Sequence, residues 1–514
     1  MVDEVWTVLT IGVLIALLLM IGVLALAGSG QDKSPVARIK DAFGLDDTAA
    51  RLAVLAAGFW AILFLALFSG LLMMLFQSVG MVVTGQGLDT VRIGLFAIAA
   101  LTATLGAVVA LPFTVIRIAL TRKSTETAEA SLFNEKINAA SGDLHAMRLI
   151  SRRSYDDNGA EVWRDHHEAD VVRRNAAIDR LEGLVREQPV EAERVARLLS
   201  VYVRELSRFN EHPPQEPPEG ASPEELAKWV GTLEDLPSEM ETAAKTLGRL
   251  SAVVGEAFDG RWISLEGANL QRADLRWSDY RNANLIHAQL QGAKLYEAQL
   301  QGANLIRAQL QGSILAHAQL RQAILIDAKL ERADLSGAQL QEAHLDLAQL
   351  RAANLREAQL QGTFLKDADL QSSNLNGARL DGAKLRGAQL QFANLQGTQL
   401  RAADLESASL NGAYLKHVQM DNDTILDASS FRGAALKSCQ FTNIFLFGLQ
   451  IEQVFGDASV TLPDGVRPSD ADNWPEHFAR DHLDEHEFFK QWRAFQASIG
   501  FDPDDPATWD KPKN

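Results

Sequence analysis

The sequence predicts a multi-domain protein whose largest part is a solenoid of square cross-section, preceded by membrane helices and a helical domain. Every fifth residue from position 265 to 425 is large and apolar, and thirty of these 33 residues are Leu. Two residues before each lies a small one: of the thirty such sites from Ala268 to Ala413, twenty-five are Ala, three Ser and two Thr. Three long apolar runs near the N-terminus indicate the membrane helices.

A period of five fits neither regular secondary structure. Five residues turn an α-helix by about 500°, so successive leucines would scatter around it. In a flat strand, an odd period sends successive leucines to opposite faces. The chain must therefore turn a corner every five residues, and four pentads form one coil. We expect Leu to fill the axis, the small residue to point inward beside it, and the residue between them to point outward.

The apolar register is predicted to slip once. After Ile425 the period resumes one residue late, at Phe431, Leu436, Phe441, Leu446 and Ile451. This extra residue indicates a bulged corner, and the larger residues indicate a wider core. About 38 pentads correspond to about nine coils, or a rod about 45 Å long at about 4.8 Å per coil.

These pentads resemble those of the pentapeptide-repeat proteins, whose motif is A-(D/N)-L-x-x. Matching triplets are Ala268-Asn269-Leu270, Ala273-Asp274-Leu275, Ala283-Asn284-Leu285 and Ala303-Asn304-Leu305. The resemblance implies a right-handed quadrilateral β-helix. It implies little about function, because one fold serves many functions.

Composition divides the 514 residues into four predicted domains. Residues 1–120 are apolar and form the membrane domain. Residues 121–260 are charged and form a cytoplasmic helical domain. Residues 261–455 form the solenoid, and residues 456–514 form a C-terminal capping segment with an acidic helix.

The membrane domain contains three runs without a charged residue, at 5–27, 52–76 and 93–116. Each is long enough to cross a hydrocarbon core of about 30 Å, so we expect contact with the lipid bilayer. An alternative interpretation of the first run is a signal peptide. Its flank carries Asp3 and Glu4 and no Lys or Arg, which is atypical of such a peptide.

Loop charges predict the orientation in the membrane. The loop between the first two runs carries Lys33, Arg38, Lys40 and Arg51, whereas the next loop carries Arg92 alone. Because basic loops stay inside, we expect the N-terminus outside and everything after the third run in the cytoplasm. The single cysteine, Cys439, fits a reducing cytoplasm. We therefore expect a multi-pass protein of the inner cell membrane.

Helical periodicity runs through much of residues 121–260. Apolar residues recur at helical spacing over 171–185 and 195–206, and Pro189 between them predicts a helix hairpin. The hairpin segment resembles one that joins membrane spans to pentapeptide repeats in many bacterial proteins. A proline-rich linker lies near 213–223, and Ser222 is expected to cap a short helix after it.

The C-terminal segment is predicted to cap the open end of the solenoid. It begins near Phe455 and resembles the closing segment of many bacterial pentapeptide-repeat proteins. Residues 476–495 are expected to form a helix.

Three sequence features are weak candidates for a catalytic or metal-binding site. His482-Leu483-Asp484-Glu485-His486 fits the H-x-x-E-H pattern of some metalloproteases, but a solvated acidic helix explains it as well. His166-His167-Glu168 is interpreted as an exposed loop. Cys439 falls at a small-residue site, so we expect burial rather than reactivity. We predict no enzymatic activity, no cofactor and no metal site.

Charge argues against nucleic acid as a partner. Residues 261–455 carry nineteen basic and nineteen acidic residues, so the net charge of −17 lies outside the solenoid. Some soluble pentapeptide-repeat proteins resemble DNA and bind topoisomerase, but a neutral rod is a poor mimic of DNA. A basic patch for direct binding is also lacking in the sequence.

Two functions remain. One is a non-catalytic, membrane-anchored scaffold whose rod binds an unknown protein partner or a second copy of the chain. The other is an oligomeric membrane pore or sensor gated by the cytoplasmic domains. The interiors of the three runs carry no ionisable residue, which favours the anchor.

One face of the rod is the candidate partner surface. Its axis residues are Leu285, Leu305, Leu325, Leu345 and Leu365, and the two neighbouring faces carry mostly Gln. We call its outward apolar residues the apolar stripe: Ile286, Ile306, Ile324, Ile326, Leu347 and Phe364. Such a surface usually marks an interaction site. The alternative is that isoleucines stack between coils. The helical domain folding back is a third possible occupant.

Overall fold

A computed structural model describes residues 47–84, 88–155, 161–209, 214–255, 258–441, 451–462, 465–467, 470, 474–505 and 508. The chain divides into two compact units, residues 1–136 and 137–514. The helices are α1 (Asp47–Val83), α2 (Leu88–Asp143), α3 (Val171–Glu187), α4 (Ala192–Phe209), α5 (Pro223–Thr232), α6 (Ser238–Val254) and α7 (Glu485–Ser498). The strands are β1 (Met147–Tyr155), β2 (Glu161–Ala169), β3 (Tyr414–Lys416), β4 (Ala435–Lys437) and β5 (Phe455–Gly456).

Two helical segments are long and apolar enough to cross a membrane, Ala56–Val83 and Val91–Asp143. The predicted runs at 52–76 and 93–116 lie within α1 and α2, and both helices extend beyond them. The predicted run at 5–27 lies outside the described residues. By length and composition, the described residues therefore offer two candidate membrane helices.

An antiparallel hairpin interrupts the region that we expected to be helical. β1 pairs with β2 along its whole length, which places His167 opposite Leu149. Cross-strand charges hold the pair, since Arg148 Nε donates to Glu168 Oε1 at 2.8 Å. The prediction of an exposed loop at His166-His167-Glu168 was therefore wrong. Helical spacing of apolar residues begins only after this hairpin, at α3.

Helices α3, α4 and α6 form a bundle. Its largest fully buried side chains include Ile178, Leu181, Leu199, Met240 and Leu247. Ion pairs join α3 to α6, because Arg174 lies 3.5 Å from Glu239 and Arg249 lies 2.7 Å from Glu182. These contacts make the bundle one packed body.

The predicted separation of two helices at Pro189 and the predicted Ser222 cap are confirmed. The turn at Pro189–Glu191 separates α3 from α4. Ser222 caps α5 in a reciprocal arrangement: its Oγ accepts from Glu225 N at 3.3 Å, and Glu225 Oε2 accepts from Ser222 N at 2.8 Å.

Each pentad of the solenoid repeats one hydrogen-bond pattern. Gln289 N donates to Ala268 O in the preceding coil at 2.9 Å, and Leu270 N donates to Gln289 O at 2.7 Å. Ala273 N donates back to Leu270 O at 3.1 Å and closes the corner. Outward residues form parallel bridges from Ser264 onward. The leucines and the small residues are buried on either side of them, so the predicted inward–outward pattern is confirmed.

The second turn residue of nearly every corner has a left-handed backbone. Twenty-two non-glycine residues in the solenoid have φ between 53° and 61°. None of these 22 is β-branched, because Val, Ile and Thr are the residues that this conformation crowds most. Ile286, Ile306 and Ile326 accordingly stand at the first turn position, where φ is negative.

The register slip lies one pentad earlier than predicted. Ile425 belongs to the bridged outward row and is 43% exposed, whereas Leu426 lies on the axis and is 3% exposed. The extra residue sits in the preceding corner, where Asp421 Oδ1 accepts from Ala402 N at 2.8 Å and from Thr424 Oγ1 at 3.0 Å. The inward assignment of Ile425 was wrong because two adjacent apolar residues both suit the axis by type.

The parallel ladder continues past the predicted end of the repeats. β5 pairs with β4, and Thr461 bridges to Gln440. Ile451 begins a 3-10 turn, and the predicted inward direction of its side chain lies outside what the structure describes. Leu446 lies outside the described residues.

The segment after the ladder packs on its last coils. Gly456 pairs with Leu436 in the axis register, and the Phe478 ring occupies the space that a Cβ on Gly456 would need. Helix α7 begins at Glu485, later than predicted, with Asp484 as its cap. It packs on an outer face of the coils through the cluster Ala435, Phe455, Phe488, Trp492 and Phe495.

The axis should tolerate neither loss nor gain of bulk. Leu345 is 1% exposed and Ala343 is 0% exposed. We expect Leu345→Ala to cost about 2–5 kcal/mol because it leaves a cavity, and Ala343→Phe to cost about 1–3 kcal/mol or more through strain. The measurement is urea unfolding of residues 137–514 followed by circular dichroism.

The matched control for both changes is Gln339→Ala, at an outward site of the neighbouring face. It should change the unfolding free energy by less than about 0.5 kcal/mol. A variant with Phe at 343 that unfolds like the control would contradict the inward placement of that site.

Candidate interaction surface

The apolar stripe occupies three kinds of position in the pentad. Ile324 and Phe364 are outward strand residues, in one bridged row with His344 between them. Leu347 is a second turn residue, with a φ of 61°. The first turn residues are Ile286, Ile306 and Ile326. The structure therefore brings all six residues to the same face and the corner that follows it, as the sequence predicts.

Within the stripe, exposure is uneven. Leu347 is 54% exposed and Phe364 is 37% exposed, whereas the four isoleucines are half-buried. Side chains 18 residues apart touch across neighbouring coils, as Gln301 Nε2 does in donating to Gln319 Oε1 at 2.6 Å. The same offset relates Ile306 to Ile324. Because the isoleucines are half-buried, the accessible apolar area centres on Leu347 and Phe364.

The Phe364 ring and the backbone at Leu347 are held in place. The Phe364 ring stacks on His344, with ring centroids 4.4 Å apart and planes 6° from parallel. Leu347 sits in the corner, where its amide donates to Lys366 O at 2.9 Å. Beside it, Asp346 Oδ1 accepts from Lys366 N at 2.9 Å. A partner would therefore meet a preformed surface rather than one that must first be ordered.

On the two faces beside the stripe, glutamine side chains form amide–amide hydrogen bonds with one another. Each bond runs from a first turn residue to the outward residue 18 positions later. They join Gln291 to Gln309 at 2.8 Å, Gln341 to Gln359 at 2.7 Å and Gln371 to Gln389 at 2.7 Å. Glutamine on these faces thus bonds to glutamine of the next coil, which distinguishes them chemically from the stripe.

A second exposed surface consists of aromatic residues, and it was not predicted from the sequence. Trp277, Tyr296 and His317 follow one corner of the first three coils, with edge-to-face contacts at 6.4 and 5.7 Å between ring centroids. Trp277 is 60% exposed, and the Arg276 guanidinium lies 5.1 Å from its ring centroid. The available signal was the recurrence of aromatic residues at corner positions of successive coils.

Helix α5 docks on a corner other than that of the stripe. A Cβ on Gly292 would lie 2.8 Å from Val230 Cγ1, and one on Gly312 would lie 3.1 Å from Val230 Cγ2. These two corner glycines follow Leu290 and Leu310 on a glutamine face and leave room for the valine. This docking site of α5 is therefore separate from the stripe.

The candidate histidine sites are not assembled. His482 precedes α7 while His486 lies within it, so the pair does not share one helical face. His166 and His167 are neighbours on β2, and the described residues contain no group of three or more potential ligands that could hold a metal ion. Glu485 binds Lys416, and this contact holds the pKa of the Glu485 carboxyl below its usual range. Glu485 therefore serves to dock α7 on the solenoid.

The predicted burial of Cys439 is confirmed. The thiol is 1% exposed, at a small-residue site of the ladder, and its Sγ donates to Leu415 O at 3.2 Å. Burial raises the pKa of Cys439 to about 11. A thiol in this state is a poor nucleophile at neutral pH.

The family model for pentapeptide repeats matches this chain in eight copies. The matched segments are 268–305, 303–341, 333–371, 348–387, 365–401 and 383–422. The solved pentapeptide repeat protein HetL, involved in heterocyst differentiation regulation in the cyanobacterium Nostoc sp. strain PCC 7120, is 34% identical over 84% of its own length. Residues 268–422 therefore belong to the pentapeptide-repeat family.

The match to HetL covers 33% of this pentapeptide-repeat protein, with a TM-score of 0.20. A second pentapeptide repeat protein from Nostoc PCC 7120 is 37% identical, covering 20% of this chain and 84% of its own, with a TM-score of 0.13. QnrB1, a plasmid-mediated fluoroquinolone resistance protein, is 17% identical, covering 39% and 91% of the two chains, with a TM-score of 0.25. Curated proteins give no match.

Alkylation should reveal the burial of Cys439. At pH 8 we expect iodoacetamide to label the folded protein at least tenfold more slowly than the urea-unfolded protein, because the folded thiol is both shielded and neutral. Mass spectrometry of the intact chain measures the labelling. Cys439→Ala is the unlabelled control, and equal rates in the folded and unfolded states would contradict the buried placement.

Proposed function

We propose that this protein is a non-catalytic, membrane-anchored scaffold that presents its pentapeptide-repeat rod to a protein partner. The observation that carries the proposal is the apolar stripe. Exposed Leu347 and Phe364 stand on a rigid ladder, beside faces whose glutamines bond to one another. A rigid surface loses little conformational entropy when a partner binds, which suits a docking role.

Membrane attachment is the second part of the proposal. Helices α1 and α2 supply two apolar segments of sufficient length, and the run at 5–27 would supply the third span. The basic loop between the first two runs favours a cytoplasmic rod and an outside N-terminus. The protein would then be a multi-pass protein of the inner cell membrane.

The C-terminal segment is proposed to cap the rod. Phe478 beside Gly456 and the packing of α7 on Phe455 support this role. An oligomeric pore or sensor is the competing function. A detergent-solubilised protein with the mass of a ring would favour it over the anchor.

Protease access tests the orientation. Protease added to intact spheroplasts should leave residues 137–514 whole, because the membrane shields them. Opening the membrane should then allow digestion. Immunoblotting against the C-terminal part measures the outcome, and digestion in intact spheroplasts would disprove the cytoplasmic placement.

The docking role of the stripe is tested by Leu347→Lys with Phe364→Lys. Both side chains are exposed, and Arg already occupies the same corner two coils earlier, at 307. We expect the thermal unfolding midpoint to stay close to that of the original protein. Co-purification of a protein partner, or self-association, should fall by at least tenfold because the charges must be desolvated on binding.

Gln339→Lys with Gln399→Lys, on a neighbouring glutamine face, adds the same charge and serves as the control. Co-purifying proteins and oligomeric mass that are unchanged in the stripe variant would show that the stripe is structural. A loss that is equal in both variants would point to net charge instead.

A further inference from the structure

The first coil of the solenoid has a strand edge that no preceding coil covers. Inside the ladder, the amide of each outward residue donates to the preceding coil, as Asn284 N does to Ile263 O at 3.0 Å and Gln299 N to Ser278 O at 2.9 Å. The first coil has no predecessor. Its four outward amides belong to Ser264, Asn269, Asp274 and Asp279.

Each of these four amides has a partner on α4 or α6. Ser264 N donates to Ser200 Oγ at 3.2 Å, and Asn269 N donates to Ser207 Oγ at 2.9 Å, both on α4. On α6, Asp274 N donates to Glu241 Oε1 at 3.2 Å and Asp279 N donates to Gly248 O at 2.9 Å. The two helices thus replace the missing coil on all four sides of the square.

The spacing of these acceptors matches helical geometry. Ser200 and Ser207 lie two turns apart on one face of α4, so they serve two successive sides of the coil. Ser200 is 1% exposed and Ser207 is 8% exposed, so both hydroxyls are buried at the contact with the coil. A hydroxyl buried in this way is in place to pair with a strand edge.

Helix α6 lies as close to the first coil as its residues allow. A Cβ on Gly248 would lie 2.5 Å from Ser278 Cβ, so any larger residue would push α6 away from the coil. One turn earlier, Ala244 O accepts from the buried Tyr280 hydroxyl at 2.6 Å. Small residues at these two positions let the α6 backbone reach the Asp279 amide.

We propose that α4 and α6 occupy a latent strand-pairing site, and that their contact prevents the first coil from pairing with a second copy of this chain. An uncovered edge offers N–H and C=O groups on the four sides of a square. Another solenoid edge presents the same groups at the same spacing on all four sides. The helical domain thereby limits the rod to binding through its side faces.

The acceptors can be removed without altering the backbone, because three of the four are side-chain atoms. In the full chain in detergent, Ser200→Ala with Ser207→Ala should speed hydrogen exchange of peptides spanning 263–270 on the order of tenfold. Peptides spanning 283–290, where the equivalent amides bond to backbone carbonyls, should be unchanged. Light scattering should show a mass that rises with protein concentration.

The control is Ser372→Ala with Ser407→Ala, at exposed corner sites of the rod. It should match the original protein in exchange and in mass. Unchanged exchange over 263–270 in the test variant would overturn the capping contact. Faster exchange without concentration-dependent association would overturn the pairing with a second copy.

A second pair of variants tests the same contact in case the double variant at Ser200 and Ser207 does not fold. Glu241→Ala should expose the Asp274 amide, whereas Glu241→Gln keeps an oxygen at the same place and should restore protection. Equal exchange at Asp274 in these two variants would contradict the role of this acceptor. These outcomes are independent of whether the apolar stripe binds a partner.

Discussion

The narrow axis of the solenoid is the constraint on which the rest of the rod depends. It admits one large side chain per pentad, and the leucines leave a void of about 10 Å³ between Leu275 and Leu325. This void is at or below the least space that a water molecule needs. Because Leu fills the axis, the residue two places earlier must be small. The chain must then turn sharply, which produces the left-handed corner residues.

A ladder of this kind does not end by itself, and the two ends of this rod make different contacts with the rest of the chain. At the first coil, helices α4 and α6 accept the four outward amides, mostly with side-chain oxygens. At the last coil, Gly456 O accepts from Ala479 N at 3.0 Å, and the Phe478 ring lies against the glycine. Corner glycines also admit large side chains from outside the ladder, Val230 near one end and Phe501 near the other.

The four outer faces of the rod differ in the chemistry of their side chains and not in backbone shape. All four faces share one backbone, so a partner can distinguish them only by side chains. Two faces carry glutamines bonded to each other, whereas the stripe carries half-buried isoleucines and two accessible residues, Leu347 and Phe364. Since the rod is neutral in net charge, apolar burial rather than charge attraction would supply most of the affinity for a partner.

The sequence alone determined the coil, its inward residues and the common face of the stripe, because a five-residue period repeats one local geometry. Burial of the Ile side chains, the register at Ile425 and the hairpin at β1 were decided by the tertiary structure. Adjacent apolar residues compete for one axis site, and only packing between coils selects between them. The docking of α4 on the first coil joins residues about 60 apart, such as Ser207 and Asn269, and that of α6 joins residues about 30 apart, such as Glu241 and Asp274. No local pattern encodes such a contact, since it depends on two surfaces that form only after folding.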